Sequence, residues 1–226
     1  SADLGNATAQ QMVGFFYEKG LGTERNYDKA FHFYKQSVEQ GNSSAMYNLA
    51  HLYEKGLGTE KNYDKAFECY EFLSNQGNSY ALCNLGYLYE TGKGVGVNFF
   101  KAIECFNKSA NQGNVSALYN IGVLYQRGLG LRKNMKKAVG IFKMAARKES
   151  KPAQRSLSIL YKIGKGVKKS LFLERKYSIG SSKKNSKLSC LSILRRRMRY
   201  ENKVKNEHNN EYSRTEKPYC FRIHKQ

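Results

Sequence analysis

The chain has 226 residues, 40% of them hydrophobic and 13% aromatic, a composition that supports at least one packed domain and excludes a chain disordered throughout. Lys and Arg number 39 against 18 Asp and Glu, a formal charge of +21, and 17 of the basic residues but only 5 of the acidic ones fall in residues 167–226. No apolar run approaches the roughly 20 residues that a membrane-crossing helix needs, and the first residues lack the charged-then-apolar order of a secretory signal.

A period of 36 residues organises most of the chain. Gly5, Gly41, Gly77 and Gly113 are each followed by Asn, and Ala9, Ala45, Ala81, Ala117 and Ala153 hold the same register. So do Tyr17, Tyr53, Tyr89, Tyr125 and Tyr161, and a Gly-any-Gly pair recurs from Gly20/Gly22 to Gly164/Gly166. Ala30, Ala66, Ala102 and Ala138 close each unit. The units run 5–40, 41–76, 77–112 and 113–148, with a partial fifth at 149–166.

Each unit is predicted to hold two helices. In the second unit Asn42 caps the first helix, and Ala45, Leu49, Leu52 and Tyr53 build one apolar stripe at i, i+4, i+7 and i+8. Gly56 ends that helix in a left-handed conformation. Asn62 caps the second helix, as Asn26, Asn98 and Asn134 do in their units, and Ala66, Phe67, Cys69 and Tyr70 bury it. Gly14, Ala50, Gly86, Gly122 and Ser158 share a column of small residues that allows close helix approach. Neither helix hides its stripe alone, so adjacent units must stack: the fold expected is all-α, a right-handed superhelix or solenoid of helix-turn-helix repeats.

Beyond Val167 the register fails, because Glu174 and Arg175 stand where Ala and an apolar residue are due. The second helix of the fifth unit is expected to be lost or degenerate, leaving 167–226 as a basic, disordered tail. That tail carries Arg195, Arg196, Arg197 and Arg199 beside Lys183, Lys184 and Lys187. Three readings of it compete: an arm for nucleic acid or anionic membrane, a nuclear localisation signal, and a stretch read out of frame.

Chemical motifs are few. The Gly-any-Gly pairs follow helices in every unit, whereas a phosphate-cradling loop needs Gly-Lys-Ser/Thr after a strand. Cys69 and Cys105 share a column with Phe33 and Ile141 and read as small core residues. Cys220 and His224 make half a zinc-finger spacing with no Cys pair before them. His32, His51, His208 and His224 are scattered, and the Ser-any-any-Lys at Ser181–Lys184 lies in a Lys-rich stretch. No catalytic residue, cofactor, metal or small-molecule substrate is assigned.

The strings from Ser44 to Asn78 and from Ser116 to Ser150 resemble Sel-1-like repeats, relatives of the tetratricopeptide class. That resemblance covers four full units and the first helix of a fifth. It implies a non-enzymatic adaptor or scaffold, and it implies that first helices line a concave groove. A cysteine-rich bacterial branch of the family, linked to β-lactam binding, ties its units with disulfides; the paired cysteines of that branch are missing here.

On the first helices the positions opposite the stripe are Gln11, Phe15 and Glu18; Tyr47, His51 and Glu54; Cys83, Tyr87 and Glu90; Tyr119, Val123 and Gln126; Arg155, Ile159 and Lys162. The candidate protein-binding groove is therefore centred on Phe15, Tyr47, His51, Tyr87, Tyr119 and Val123, and a peptide or helix of another protein is the expected partner. The alternatives are that these aromatics pack between units, and that an anionic partner binds the tail. Cysteines at odd number, Cys69, Cys83, Cys105, Cys190 and Cys220, favour a reducing, cytoplasmic location. The sequons at Asn6, Asn42, Asn107 and Asn114 keep the lumen of the endoplasmic reticulum open, and the tail keeps the nucleus open. Because residues 1–6 align with 109–114, the chain is expected to open inside the closing helix of a preceding unit, and either to fray at both ends or to self-associate through them.

Overall fold

The computed structural model describes residues 6–179, and all regular structure among them is helical. The elements are α1 (Ala7–Lys19), α2 (Tyr27–Glu39), α3 (Ser43–Lys55), α4 (Tyr63–Asn75), α5 (Ser79–Thr91), α6 (Phe99–Asn111), α7 (Val115–Arg127), α8 (Met135–Arg147), α9 (Lys151–Ile163) and α10 (Leu171–Ile179). They form consecutive pairs that pack on their neighbours in the chain, an α-solenoid. Readings that fall beyond residue 179, among them the arginine cluster, Cys190, Cys220, His208, His224 and Ser181–Lys184, lie outside the described residues.

Local chemistry fixes the helix ends. The side-chain oxygen of Asn42 accepts from the Ala45 amide at 3.0 Å and that of Asn62 accepts from the Lys65 amide at 2.9 Å, satisfying donors that the first helical turn leaves unpaired. The same bond recurs at Asn6, Asn26, Asn98, Asn114 and Asn134. Three of the four sequon asparagines, Asn6, Asn42 and Asn114, thus spend their side chains on capping. The first helices end at glycine in the left-handed region, as at Gly56 with φ 69° and ψ 47°.

Within a unit, the aromatic of the second helix drives into the small residue of the first. Tyr34, Tyr70, Phe106 and Phe142 are fully buried. A Cβ added at Gly14 would lie 2.8 Å from the Tyr34 ring, and one at Gly86 would lie 2.8 Å from that of Phe106. Missing side chains on one helix are therefore the sockets for rings on the other, each ring contributing roughly 1.5–3 kcal/mol of gross burial. Between units, Phe31 of α2 meets Tyr53 edge-on at 5.4 Å and Phe67 of α4 meets Tyr89 in the same way at 5.4 Å. Ala45, Leu52, Ala81, Leu88, Ala117 and Leu124 on the receiving helices are fully buried.

Of the two expectations for the fifth unit's second helix, lost or degenerate, the structure shows the second: α10 forms with 9 residues against 13 in α8, and the helical packing continues past residue 166. Ser170 stands in the column of Asn26, Asn62, Asn98 and Asn134, and its hydroxyl oxygen accepts from the Leu173 amide at 3.3 Å, starting α10. Val167, Leu173 and Tyr177 then pack against the core formed by α8 and α9. Tyr177 stacks on Tyr161 at 5.9 Å and 4°, as Phe33 stacks on Tyr17 at 5.9 Å and 9° in the first unit. The Glu and Arg that broke the register occupy tolerant places. Glu174 is half-buried, and Arg175 is exposed in the column that Phe31, Phe67, Ile103 and Val139 use to reach a following unit.

The two described ends differ accordingly. On α1, Phe16 is 41% exposed, although Leu52, Leu88 and Leu124 of the same column are at 0%. On α10 the corresponding outer position is the charged Arg175.

Candidate protein-binding face

The first helices α1, α3, α5, α7 and α9 place three columns of side chains away from the main stripe, and the three columns have different fates. The column of Gln11, Tyr47, Cys83, Tyr119 and Arg155 is largely used for packing. Tyr47 is half-buried, tilted on Tyr70 at 5.8 Å and edge-on to Tyr80 of the next first helix at 6.3 Å. Its hydroxyl accepts from Asn84 Nδ2 at 3.2 Å, and burial pushes its titration up. Tyr119, also half-buried, lies 5.5 Å from the Phe142 ring. Cys83 is 7% exposed; Asn120 Nδ2 donates to its sulfur at 3.8 Å, and burial pushes its thiol up to about 11. The placing of Cys83 on a free face is thus corrected.

The carboxylate column of Glu18, Glu54 and Glu90 is turned inward as well, contrary to the sequence expectation. Tyr34 OH donates to Glu18 at 2.8 Å, and Lys19 pairs with the same carboxylate. Glu54 is 7% exposed, takes a hydrogen bond from Tyr70 OH at 3.3 Å and pairs with Lys55 at 2.6 Å. In the third unit Phe106 replaces the phenol, and Glu90 is met instead by Arg127 of the next unit at 3.5 Å. Burial raises the Glu90 carboxyl above the ordinary range, and Arg127 offsets part of that rise. The carboxylate–phenol pair escaped sequence reasoning, yet it left a signal: Glu18 with Tyr34 and Glu54 with Tyr70 share a spacing of 16.

The remaining column, Phe15, His51, Tyr87, Val123 and Ile159, keeps aromatic or aliphatic surface in reach of solvent. Phe15, His51 and Val123 are half-buried. Tyr87 is 37% exposed, with its hydroxyl accepting from Lys93 Nζ at 3.0 Å, and Ile159 is 59% exposed. Of the six candidate residues, the structure therefore brings Phe15, His51, Tyr87 and Val123 into one line, while Tyr47 and Tyr119 flank it as packing residues, Tyr119 against Phe142 of its own unit and Tyr47 against both Tyr70 of its own unit and Tyr80 of the next.

Two hollows lie elsewhere. One of about 500 Å³ sits beside α4 and α6, lined by Glu71, Lys101, Glu104 and Lys108 among others; a second of about 530 Å³ is bounded by Tyr125, Arg132, Lys133 and Lys137. Neither includes a residue of the exposed column. Among the described residues no group of three or more His, Cys, Asp or Glu could hold a metal ion, and Cys69, Cys83 and Cys105 are free thiols.

A stack of helix pairs, each packed on its neighbours in the chain, defines an α-helical repeat solenoid. The Sel1 repeat pattern matches residues 7–42, 43–78, 79–114 and 115–150. The chain belongs to the Sel1 repeat family. A Sel1 repeat protein from Oxalobacter formigenes is 32% identical, with a TM-score of 0.70 over 78% of this chain and 70% of that one. A protective antigen of uropathogenic Escherichia coli with an SLR fold is 27% identical at a TM-score of 0.68, over 80% of this chain and 38% of its own. A putative Sel1 repeat protein from Klebsiella pneumoniae, 17% identical at a TM-score of 0.55, covers 79% of this chain and 88% of its own, and shares the fold. No curated protein matches the chain. Sel1-repeat proteins are commonly protein-interaction scaffolds and generally non-catalytic.

Proposed function

We propose that the chain is a non-catalytic adaptor whose first-helix face receives a peptide or helix of another protein. The observation that carries this reading is the column Phe15, His51, Tyr87, Val123 and Ile159, which keeps apolar or aromatic side chains partly exposed in every unit. Continuous exposed apolar surface costs solubility, and in soluble proteins it marks interaction sites. The flanking positions Lys19, Lys55 and Arg127 are exposed and polar, as the rim of an interface is. Among the described residues Cys69, Cys83 and Cys105 are free thiols, which supports a cytoplasmic setting for this role.

Site-specific photocrosslinking tests the reading. Benzoylphenylalanine at Tyr87 is expected to capture partner proteins from the native host. The same group at Phe100, which is 78% exposed on α6, serves as an equally sticky control on the other side of the helix pair. Equal capture at the two positions would overturn the groove.

A further inference from the structure

The exposed face changes chemistry along its length. Residues 5–112 hold ten Lys or Arg against eleven Asp or Glu, but residues 113–148 hold eight basic residues and no acidic one, and 149–179 hold eight against two. On the first helices the change is a reversal. The column that begins with Glu18, Glu54 and Glu90 continues as Gln126 and Lys162. The three carboxylates are already engaged by Lys19, Lys55 and Arg127, so the acidic half of the face is internally neutralised. Arg155 and Lys162 are exposed, and neither forms an ion pair among the described residues.

These two cations sit at i and i+7 of α9, with Ile159 between them at i+4 and Ile163 one turn further on; the isoleucines are 59% and 51% exposed. Two aliphatic side chains framed by unpaired cations are costly to leave in water. They match a ligand that carries carboxylates beside aliphatic groups. The chain's own residues 180–226, with thirteen Lys or Arg against four Asp or Glu, have the wrong sign to cover that face.

We infer that the α7–α9 end of the face, through Val123, Arg155, Ile159 and Lys162, binds an acidic and aliphatic peptide segment of a partner protein. This rests on the groove reading above and names the chemistry of its occupant. Nucleic acid is the competing polyanion, and the exposed apolar residues decide against it. Single strands are held by stacking on exposed aromatics. After Phe100, every exposed large hydrophobic among the described residues is aliphatic: Met144, Ile159, Ile163 and Leu171.

Fluorescence anisotropy on the full chain tests this with a labelled peptide of Asp, Glu and Leu. The same peptide with Ser for Leu and an oligodeoxythymidylate are the comparisons. The Leu peptide is expected to bind about tenfold or more tighter than the Ser peptide. The pair Arg155→Glu and Lys162→Glu is expected to weaken it by about tenfold or more, with an unchanged circular dichroism melt. Ile159→Ser, uncharged and exposed, is expected to weaken it without altering its salt dependence. An equal response of the double variant and the parent would place the binding on the basic residues beyond 179 and overturn the inference, as would an oligonucleotide that competes as well as the Leu peptide. If the Leu peptide fails while crosslinks at Tyr87 persist, this inference falls and the groove stands; if the crosslinks fail too, both fall.

Discussion

Replacing Gly58 with Ala probes the joint between two units, and Gly22 provides its control. Both glycines hold the second position of a Gly-any-Gly pair and both have a left-handed backbone, with φ of 65° and 71°. An added methyl costs roughly 1–2 kcal/mol in that conformation at either site. The surroundings differ. Nothing lies within 4 Å of a Cβ at Gly22, whereas one at Gly58 would run into the Tyr27 carbonyl of the preceding unit and lie 2.8 Å from the Asp28 amide nitrogen. These are backbone atoms at the start of α2, so relief requires the joint to open. Overpacking of that kind costs about 1–3 kcal/mol more. Gly22→Ala is therefore expected to lose about 1–2 kcal/mol and Gly58→Ala about 2–5 kcal/mol in urea melts followed by circular dichroism at fixed slope. Equal losses at the two positions would refute the claim that this glycine is a contact between units and not only a turn.

Tyr47→Ala removes a ring wedged between Tyr70 and Tyr80 and is expected to cost about 2–4 kcal/mol of stability, while Tyr87→Ala costs under about 1 kcal/mol; a reversed order in urea melts would contradict the division of the two columns. Glu90 takes up a proton more readily folded than unfolded, because burial raises its carboxyl, so its charge costs stability once the pH rises through the folded value and costs nothing below the unfolded one. Glu90→Gln should accordingly stabilise the protein more at pH 7 than at about pH 4; a larger gain at the acidic pH in parallel denaturation curves would refute the sign. Tyr177→Ala deletes the stacked pair that holds α10 on α9, and limited proteolysis read by mass spectrometry should then cut within residues 167–170 faster than in the parent chain. Cutting there at the same rate in both proteins would show that α10 is not docked through this ring.

The repeat was legible because each column answers a local demand. Asn at the cap, Gly at the left-handed stop and Ala or Gly at the close approach are choices with few substitutes, so they recur visibly. The fifth unit's second helix was illegible because its two signals changed identity: Ser170 caps where Asn did in the earlier units, and Tyr177 packs from a column otherwise held by Phe, Cys and Ile. The candidate face was legible as a set of helix positions and not as a surface. Helical spacing alone put Tyr47, Glu54 and Cys83 on the free side, but the partner helix of the same unit covers Glu54 through Tyr70 and the next unit reaches Tyr47 and Cys83 through Tyr80 and Asn120, and such coverage depends on how helices are placed, which no single helix encodes. Tyr47 and Tyr87 are the same residue type on first helices, yet Tyr47 is enclosed by Tyr70, Tyr80 and Asn84 whereas the Tyr87 hydroxyl meets Lys93.

The joints also set where the array is stiff. At Gly58 and Gly94 a loop presses directly on the backbone that opens α2 and α4, so these points act as pins with no slack. Across the opposite side the units touch through side chains, Asn84 to Tyr47 and Asn120 to Cys83, whose torsions can turn. A stack pinned along one edge and cushioned along the other behaves as a leaf spring. Its soft bending mode rotates units about the row of glycines and changes the spacing between α3, α5 and α7. On that arrangement, bending of the described units is expected to be easiest on the side where Asn84 meets Tyr47 and Asn120 meets Cys83.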